Sequence, residues 1–579
     1  MSNLLDTPQK ESTNLQRKWI ISPSSPEKAS VLKNEINVSS SICEILVQRG
    51  IDNHSAARQY FRPCLSTLHA PALMKDITKA VDRIQKAMEQ KEKILIFGDY
   101  DVDGTTAVSL VYAALAQVYP KELLDFYIPH RYREGYGLSQ AGIDFADSHG
   151  FGLIICLDCG IKSVELVAYA TEKNVDMIIC DHHIPGGELP KAIAILNPKQ
   201  NDCAYPYKEL CGCGIGYKLM QAVYERLKIE VSELYKYHCL LATAIAADIV
   251  PITGENRVFA YHGVQQINKQ PPASIAALLK LAAAQLPLTI STLVFVLAPR
   301  INAAGRMDDA RKVIDLLIEK DEEKALELAG FLHSDNTERK EVDKSITEEA
   351  LEIISKDQGQ QHKKANVVFK GTWHKGVVGI VASRIIENYY KPTIVLTLSN
   401  GLITGSARTV DGFNLYEAIH ACRKYLTAYG GHFAAAGLSM QPEHYEDFRQ
   451  AFENEVAATI TEDALIPKLK INAEIKLNQI TPNFYNVIKQ MEPFGPENMR
   501  PVFMAKNVTN NGYSKIVKEN HIRFVITNGE QSISGIGFNM SEKFQLLKKP
   551  FDIVFTLDEN VWNDTTTIQL KVIDIRATN

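Results

Sequence analysis

Apolar segments of strand length alternate with helical segments from Lys93 onward, and this alternation most constrains the fold. The strand-like segments read KILIFG, DFYIP, LIICLD, DMIIC and AIAILNP, and helical patterns such as TTAVSLVYAALAQVY and SVELVAYATEKN lie between them. Strands that alternate with helices of about ten to fifteen residues form βαβ units with parallel strands. We therefore predict an α/β fold whose main domain, residues 76–307, is built on a parallel sheet.

The rest of the chain divides into four further segments by pattern. Residues 1–75 predict a small helical N-terminal segment. Residues 308–364 are rich in Glu, Lys, Leu and Ala, which indicates one or two long, solvated connecting helices. Strands return at about residue 365, so residues 365–462 are expected to form a smaller α/β domain. Short strands after about Lys468 predict an OB-like β-barrel over residues 463–579.

Composition excludes some classes of protein. The net charge of the 579 residues is −5 and 45% of them are hydrophobic, which is ordinary for a globular protein. No apolar stretch has the length of a membrane span, and the polar N-terminus lacks a secretory signal. The ten cysteines are scattered and lie partly in apolar runs, which favours reduced thiols. We expect a soluble, monomeric, cytoplasmic protein with no membrane partner.

Acidic and imidazole side chains follow the predicted elements at the point where each one ends. They are Asp99, Asp101 and Asp103 after KILIFG, Asp158 after LIICL, Asp181, His182 and His183 after DMIIC, and Asp248 in AADIVP. Because ligands of an open α/β sheet bind outside the carboxyl ends of its strands, we expect these side chains to converge on one rim. Singly, each has an ordinary explanation, such as capping a helix or lying on the surface. Together they would repel each other strongly unless cations neutralise them.

The donor types of this rim predict which cations it holds. Carboxylate oxygens with one or two imidazoles suit Mn²⁺ and Mg²⁺, and zinc is less favoured because no thiolate is needed. More than four carboxylates indicate two ions that share a bridging carboxylate. Two metal ions a few ångström apart are a standard apparatus for phosphoester cleavage. The rim therefore predicts a centre of two divalent ions, Mn²⁺ or Mg²⁺.

Four motifs in a fixed order carry a family resemblance: GDYDVDG, LDCG, CDHH and ATAIAADIVP. With them the chain resembles the DHH phosphoesterase superfamily, which is named after the triplet that is Asp181, His182 and His183 here. GSARTVDGFNL and YGGHFAAAG resemble its DHH-associated domain. HRYREGYGLS, APRINAAGRMDDA, WHKGVVGIVASRI and PFGPENMRPVF resemble the single-strand-specific exonucleases of the superfamily. The resemblance runs from about Pro71 to the C-terminus.

The resemblance implies a role for each residue of the rim. The implied metal ligands are Asp99, Asp101, Asp103, Asp158, His182 and Asp248. Asp158 would be the bridging carboxylate, and Asp99 would be either a ligand or a group close to the metals. In the catalytic group, Asp181 would orient a histidine, and His183 would contact the scissile phosphate or the leaving group.

The resemblance also implies a site for the end of a strand. The substrate-binding candidates are Arg131, Arg306, Ser406, Arg408 and His432, with Arg133 and Arg300 as further possibilities. A hydroxyl beside a guanidinium, as in GSART, suits a phosphate. The glycines of YGGHFAAAG are expected to precede a small-residue helix whose backbone amides cradle an anion. The aromatic candidates for stacking on unpaired bases are Tyr132, Tyr136 and Trp373. Surface salt bridges and burial are the ordinary alternatives.

These features together predict a two-metal-dependent 5′→3′ exonuclease that degrades single-stranded DNA to mononucleotides in DNA repair and recombination. One alternative is a phosphodiesterase of short oligonucleotides or cyclic dinucleotides, and another is a non-catalytic nucleic-acid-binding scaffold. The OB-like segment favours the exonuclease, because enzymes of the first alternative resemble the two-lobed core alone. The family role implies single-stranded DNA as substrate and a single-strand-binding protein or a helicase as partner.

Overall fold

The computed structural model describes residues 16–131, 133–307, 310–357, 359–562 and 565–578, and it confirms the predicted α/β class. The N-terminal part forms β1 (Lys18–Ile21), α1 (Pro26–Ile36), α2 (Ser40–Gln48) and α3 (His54–Phe61). None of the described helices combines the length and the apolar character that crossing a bilayer requires.

The first lobe holds a five-stranded parallel sheet in the order β3-β2-β4-β5-β6. Its elements are α4 (Ile77–Gln90), β2 (Lys93–Gly98), α5 (Val102–Leu115), β3 (Leu124–Tyr127), α6 (Gln140–Ser148), β4 (Phe151–Leu157), α7 (Val164–Glu172), β5 (Asp176–Cys180), β6 (Ala194–Leu196), α8 (Gly212–Arg226), α9 (His238–Asp248), α10 (Gly254–Lys269), α11 (Ala273–Leu281), α12 (Ile290–Thr292) and α13 (Ala298–Met307). Ile94 and Ile96 belong to one core, whereas Leu95 and Phe97 belong to another. Because helices cover both faces of this sheet, its strands are apolar throughout rather than alternating.

Two helices connect the lobes: α14 (Arg311–Ile318) and α15 (Glu322–Lys356), which is 35 residues long. The prediction of a long connecting helix is confirmed, but the expectation of a solvated one is only partly right. Asn336, Arg339, Asp343 and Thr347 recur three or four residues apart and are buried along one face of α15. Helix α15 packs against α11, α13 and the first helix of the second lobe, and Asp343 on the polar face pairs with Arg384 of that last helix.

The second lobe has a five-stranded sheet in the order β10-β11-β9-β8-β7, of which only β7 and β8 run parallel to each other. Its elements are β7 (Asn366–Phe369), α16 (Val378–Tyr389), β8 (Thr393–Ser399), β9 (Leu402–Arg408), α17 (Leu415–Ala421), β10 (Ala428–Gly431), β11 (Ala435–Met440) and α18 (Tyr445–Thr459). The expected small-residue helix in YGGHFAAAG is therefore wrong, because that segment is the hairpin of β10 and β11. A Cβ atom on Gly431 would lie 2.4 Å from the carbonyl oxygen of Ala435, so the close pairing of the strands requires glycine there.

The C-terminal strands form the predicted small barrel. Its strands are β13 (Ala473–Glu474), β14 (Phe503–Asn510), β15 (Lys515–Val517), β16 (His521–Thr527), β17 (Ser532–Gly537), β18 (Phe551–Trp562) and β19 (Thr565–Ala577). The same part of the chain contains β12 (Lys468–Ile471), which lies outside the barrel sheet, and α19 (Pro482–Gln490). An additional pairing of β14 with β16 closes the sheet. Leu32 and Ile42 of the N-terminal helices share one apolar core with Phe503 and Phe524 of the barrel, and β1 pairs with β12. The N-terminal helices are thus packed onto the last part of the chain.

Candidate metal centre

Three aspartates follow strand β2 at the carboxyl edge of the first sheet. Asp99 and Asp103 are buried, and Asp101 is the N-cap of α5, where its carboxylate accepts a hydrogen bond from the Gly104 amide at 3.0 Å. Asp103 accepts from the backbone amides of Gly212 at 2.6 Å and Cys213 at 2.8 Å, which open helix α8. The partial positive charge of that helix terminus orients the carboxylate of Asp103.

Asp158, His182 and Asp248 meet the first group from three other elements. Asp158 follows β4, His182 lies two residues after β5, and Asp248 is the last residue of α9. The Nε2 atom of His182 lies 3.2 Å from Asp158 Oδ1, 3.5 Å from Asp248 Oδ2 and 3.9 Å from Asp103 Oδ2. Two sets of candidate ligand atoms, each within 4.8 Å of one another, are Asp158 with His182 and His183, and Asp103 with His182 and Asp248.

Several of these polar atoms are buried without a hydrogen-bond partner among the described residues. They are Asp99 Oδ2, Asp158 Oδ1, Asp248 Oδ2 and both ring nitrogens of His182. An unpartnered buried carboxylate oxygen is costly, since burial removes its water and nothing replaces it. Oxygens and an imidazole nitrogen that converge without bonding each other fit divalent cations of the Mn²⁺ and Mg²⁺ kind.

Burial and neighbouring negative charges both raise the pKa values of four rim aspartates. The pKa of Asp99, buried beside Asp101, and that of Asp158, buried beside Asp103, are both held well above the usual value. Burial and Asp101 raise the pKa of Asp103 to about 7, and burial and Asp103 raise the pKa of Asp248 to about 9. Ionisation of all the rim carboxylates together is therefore unfavourable. Bound cations would offset that cost in free energy.

Asp181 and His183 form a separate pair beside the rim. His183 Nδ1 lies 2.7 Å from Asp181 Oδ1, and the Ile161 amide donates to Asp181 Oδ2 at 2.9 Å. Burial alone would raise the pKa of Asp181, but the hydrogen bonds and charge of His183 lower it overall. Burial opposes a charged His183, yet Asp181 raises the pKa of His183 above its usual value. The pair fixes the imidazole ring with its Nε2 atom 3.4 Å from the Tyr136 hydroxyl.

Ser406 and Arg408 lie on β9 of the second lobe and contact each other. An Nη atom of Arg408 donates to the Ser406 hydroxyl at 2.8 Å and to the Ala407 carbonyl at the same distance. Burial lowers the pKa of Arg408, and the charge of Arg131 lowers it further. Arg131 comes from the first lobe, where its guanidinium lies over the ring of Tyr100 at 4.9 Å. Arg131 of the first lobe is therefore near enough to Arg408 of the second lobe for its charge to act on it.

Arg306 and His432 also lie where the lobes meet. Arg306 on α13 donates to the backbone carbonyl of Gly376 at 2.9 Å, which links the first lobe to the start of α16. His432 is exposed at the tip of the hairpin. Its pKa is lowered by burial of its ring and by the nearby charges of Lys162 and His183. The exposed ring of His432 is thus near enough to Lys162 and His183 for their charges to act on it.

The two further arginine candidates lie elsewhere. Arg300 is buried and donates to the Val296 carbonyl at 2.6 Å and to the His333 ring at 3.3 Å, so it faces α15. Arg133 is exposed, and its backbone amide donates to the carbonyl of His130. The Arg300 side chain thus points toward α15, and the contact of Arg133 is made by its backbone.

The aromatic candidates for stacking on bases differ in their exposure. Tyr136 is 54% exposed and packs edge-on beside His183, so a base could reach it. Trp373 is 5% exposed and donates to Glu349 at 2.8 Å, so the alternative of burial is correct for it. Tyr132 lies outside the described residues.

Two glycines shape the centre, and the sequence reasoning missed them. A Cβ atom on Gly212 would lie 2.6 Å from Asp158 Oδ1, and one on Gly104 would lie 2.5 Å from the Asp99 carbonyl oxygen. Any other residue at these positions would push α8 away from the Asp158 carboxylate and α5 away from the Asp99 backbone. The signal was available, because each glycine opens a helical pattern, in DVDGTTA and in CGCGIG.

Comparisons with known proteins show the family of the chain. The models of the DHH family N-terminal domain, the DHHA1 domain and the RecJ OB domain match residues 93–245, 362–458 and 471–574. The single-stranded-DNA-specific exonuclease RecJ of Bacillus subtilis (strain 168) is 34% identical over 563 residues, which cover 96% of this chain and 70% of that protein. The chain belongs to the RecJ family. The RecJ of Haemophilus influenzae is 30% identical, with coverage of 91% of this chain and 97% of the relative.

Solved RecJ structures share the fold. The RecJ of Thermus thermophilus in complex with Mn²⁺ has a TM-score of 0.83 and 23% identity, and the match covers 97% of this chain and 80% of that chain. An exonuclease RecJ bound to manganese has a TM-score of 0.59 and 28% identity, over 69% of this chain and 97% of that chain. The match to the Thermus RecJ extends the family fold over nearly the whole chain.

Proposed function

We propose that this chain is a two-metal-dependent exonuclease that degrades single-stranded DNA from its 5′ end to mononucleotides, in DNA repair and recombination. The observation that carries the proposal is the convergence of carboxylate oxygens and one imidazole, several without a partner, at the edge of the first sheet. The RecJ relatives, which are single-stranded-DNA-specific exonucleases, support the substrate.

The rim would hold two ions of Mn²⁺ or Mg²⁺. Its proposed ligands are Asp99, Asp101, Asp103, Asp158, His182 and Asp248, with Asp158 bridging. Such ions activate water and stabilise the charge that develops on a leaving oxygen. Asp103 is held for this task by two backbone amides, and Asp101 by one.

His183 would contact the scissile phosphate or the leaving group. Its Nδ1 atom is tied to Asp181, so its Nε2 atom is the one presented beside Tyr136. Asp181 acts as a positioning residue, because it holds the ring orientation and favours the protonated imidazole. A protonated Nε2 donates to a phosphate oxygen.

Ser406, Arg408, Arg131, Arg306 and His432 would hold the 5′ end. The charge of Arg131 disfavours the charged form of Arg408, and a phosphate bound by both would offset this repulsion. Contacts from both lobes would admit one strand and bind its 5′ end. We propose that the site excludes a duplex, in line with the single-strand specificity that the names of the RecJ relatives give.

The alternatives are less well supported. A phosphodiesterase of short oligonucleotides or cyclic dinucleotides needs only the two lobes, whereas this chain adds a barrel that matches the RecJ OB domain. A scaffold needs no set of converging, unpartnered carboxylates. We also propose that the protein is a cytoplasmic monomer and that a single-strand-binding protein or a helicase supplies the unpaired strand.

Digestion of a labelled strand tests the proposal. A long single-stranded DNA with a 5′-phosphate and a 3′ label would be incubated with the protein and Mn²⁺, beside a blunt duplex and beside the Asp101→Asn variant. We expect successive release of 5′-mononucleotides, a spared duplex and an inert variant. Release from the labelled 3′ end would contradict the polarity. An intact strand with digested dinucleotides would favour the phosphodiesterase, and no turnover at all would favour the scaffold.

A further inference from the structure

The turn that carries Arg131 is closed by a carboxylate outside the metal centre. The Glu134 amide donates to the His130 carbonyl at 2.9 Å, and Glu134 Oε1 accepts from the His130 amide at 2.7 Å. The backbone and the side chain of Glu134 therefore bond to the same residue, and Arg131 lies within the turn that they close. The turn between His130 and Glu134 is called the Arg131 turn below.

The same carboxylate joins the Arg131 turn to two elements of the first lobe. Glu134 Oε2 accepts from the Ser139 hydroxyl at 2.6 Å and from the Tyr127 hydroxyl at 3.0 Å. Ser139 is the N-cap of α6, and Tyr127 is the last residue of β3. One carboxylate thus accepts three side-chain-mediated hydrogen bonds, which anchor the turn to the end of β3 and the start of α6.

The guanidinium of Arg131 rests on an aromatic ring and has no anionic partner in the part of the chain that the structure describes. It lies over the Tyr100 ring, 4.9 Å from the ring centroid, and forms no ion pair with a described residue. Stacking on a ring face leaves the N–H groups of a guanidinium available to an acceptor. The turn therefore holds a cation whose donors can bind an external anion.

The residues that follow the turn reach the metal centre. The Gly137 amide donates to Asp99 Oδ1 at 3.4 Å, and the Tyr136 hydroxyl lies 3.4 Å from His183 Nε2. The chain therefore passes from the Arg131 turn to the rim within a few residues. A displacement of the turn would change the distance between an anion bound by Arg131 and the rim.

We propose that Glu134 is a positioning residue that holds Arg131 for a 5′-phosphate, so that strands with this phosphate are preferred to strands with a 5′-hydroxyl. The assignment rests on the proposed function, in which Arg131 contacts the 5′ end. Both oxygens of Glu134 already accept hydrogen bonds from His130, Ser139 and Tyr127. The carboxylate therefore acts through the geometry that it gives the turn and not by touching the substrate.

Rates on two kinds of strand end test this role in the reaction. The ratio of kcat/KM for 5′-phosphorylated single strands to kcat/KM for 5′-hydroxyl strands would be measured with Mn²⁺. Glu134→Ala removes the three hydrogen bonds of the carboxylate. Glu134→Gln can replace them, because its oxygen can accept from His130 and its NH₂ group can donate to the two hydroxyls. Glu172→Gln, which changes an exposed residue at the end of α7, is the control.

We expect the ratio to fall about tenfold in Glu134→Ala, as for the loss of one hydrogen bond to a charged group, and to change little in Glu134→Gln and Glu172→Gln. The double variant Glu134→Ala and Arg131→Gln should have a ratio no lower than that of Arg131→Gln alone. A general loss of structure would lower both rates alike, so an unchanged ratio in Glu134→Ala would overturn the proposal. An equal fall in Glu134→Gln would assign the effect to charge and would overturn it too.

Binding without turnover separates a failure of this proposal from a failure of the proposed function. Short oligothymidylates with and without a 5′-phosphate would be titrated calorimetrically into the full-length protein in metal-free buffer. We expect the unmodified protein to bind the phosphorylated probe about tenfold more tightly and Glu134→Ala to lose most of this preference. Equal binding of both probes by the unmodified protein would overturn the proposal. If the protein digests no strand but shows this preference, the proposed function fails and the role of Glu134 stands.

Discussion

The metal rim and a second charged region between α15 and α16 differ in how their charges are compensated. In the second region, called the cation cluster below, Arg339 of α15 and Arg384 of α16 share Asp343. At the rim, carboxylates from the ends of several elements converge, and Asp99, Asp158 and Asp248 each keep an oxygen without a partner. In the cluster, Asp343 already pairs with Arg339 and Arg384. The rim must therefore obtain its counter-ions from outside, whereas the cluster supplies part of its own. This difference predicts that the rim governs catalysis and that the cluster governs stability.

The largest expected effect comes from removing one charge of the rim. Asp101→Asn keeps the N-cap hydrogen bond from Gly104 but weakens metal binding. We expect hydrolysis of single-stranded DNA to fall by roughly a thousandfold or more, since a principal electrostatic group is lost. The melting temperature and the circular dichroism spectrum should stay close to those of the unmodified protein. Near-normal turnover would show that the rim does not hold the catalytic metals.

A smaller loss is expected beside the rim. Asp181→Asn leaves His183 without its charged partner, so kcat should fall by about 10–100-fold with little change in KM. If Asp181 acts through the imidazole, kcat of the double variant Asp181→Asn and His183→Gln should be no lower than kcat of His183→Gln alone. Additive losses in steady-state kinetics would show that the two residues act independently.

Breaking the pair inside the cluster should cost stability instead of turnover. Asp343→Asn leaves two cations unpaired, and we expect the free energy of unfolding to fall by about 2 kcal/mol, less than for a fully buried pair because Arg384 is 40% exposed. Glu338→Gln, on the exposed side of α15, is the matched control. In urea denaturation without metal, Asp158→Asn should lose less free energy of unfolding than Asp343→Asn, because Asp158 Oδ1 has no partner to lose. A larger loss of unfolding free energy in Asp158→Asn than in Asp343→Asn would contradict the comparison of the two regions.

The smallest effect is the stabilisation by metal. Mn²⁺ at ten times its Kd should stabilise the native protein by about 1.4 kcal/mol, because it binds the folded rim alone. The melting temperature with Mn²⁺ and with a chelator would be compared in the unmodified protein and in Asp101→Asn. An equal shift in both proteins would place the bound ion outside the rim.

Much of the fold and of the rim could be predicted from the sequence because the signals are local. The apolar run KILIFG ends directly at Asp99, and the runs LIICL and DMIIC end at Asp158 and Asp181, so strand ends and acidic residues coincide. The hairpin of β10 and β11 was mistaken for a helix because a run of glycine and alanine has neither helical nor strand periodicity.

Other features depend on contacts between distant parts of the chain. Arg339 and Asp343 belong to a segment with the charged composition of a solvated helix. Only the packing of α15 against α16 buries them. The strand β1 exists because it pairs with β12, far along the chain. No pattern within either segment predicts such a pairing.

The stoichiometry of bound Mn²⁺ tests the central claim most directly. Equilibrium dialysis of the metal-free protein against Mn²⁺, followed by elemental analysis, would count the ions per chain in the unmodified protein and in Asp158→Asn. A centre of two ions bridged by Asp158 predicts two ions in the first and fewer than two in the second. No bound Mn²⁺, or equal uptake by both proteins, would contradict it.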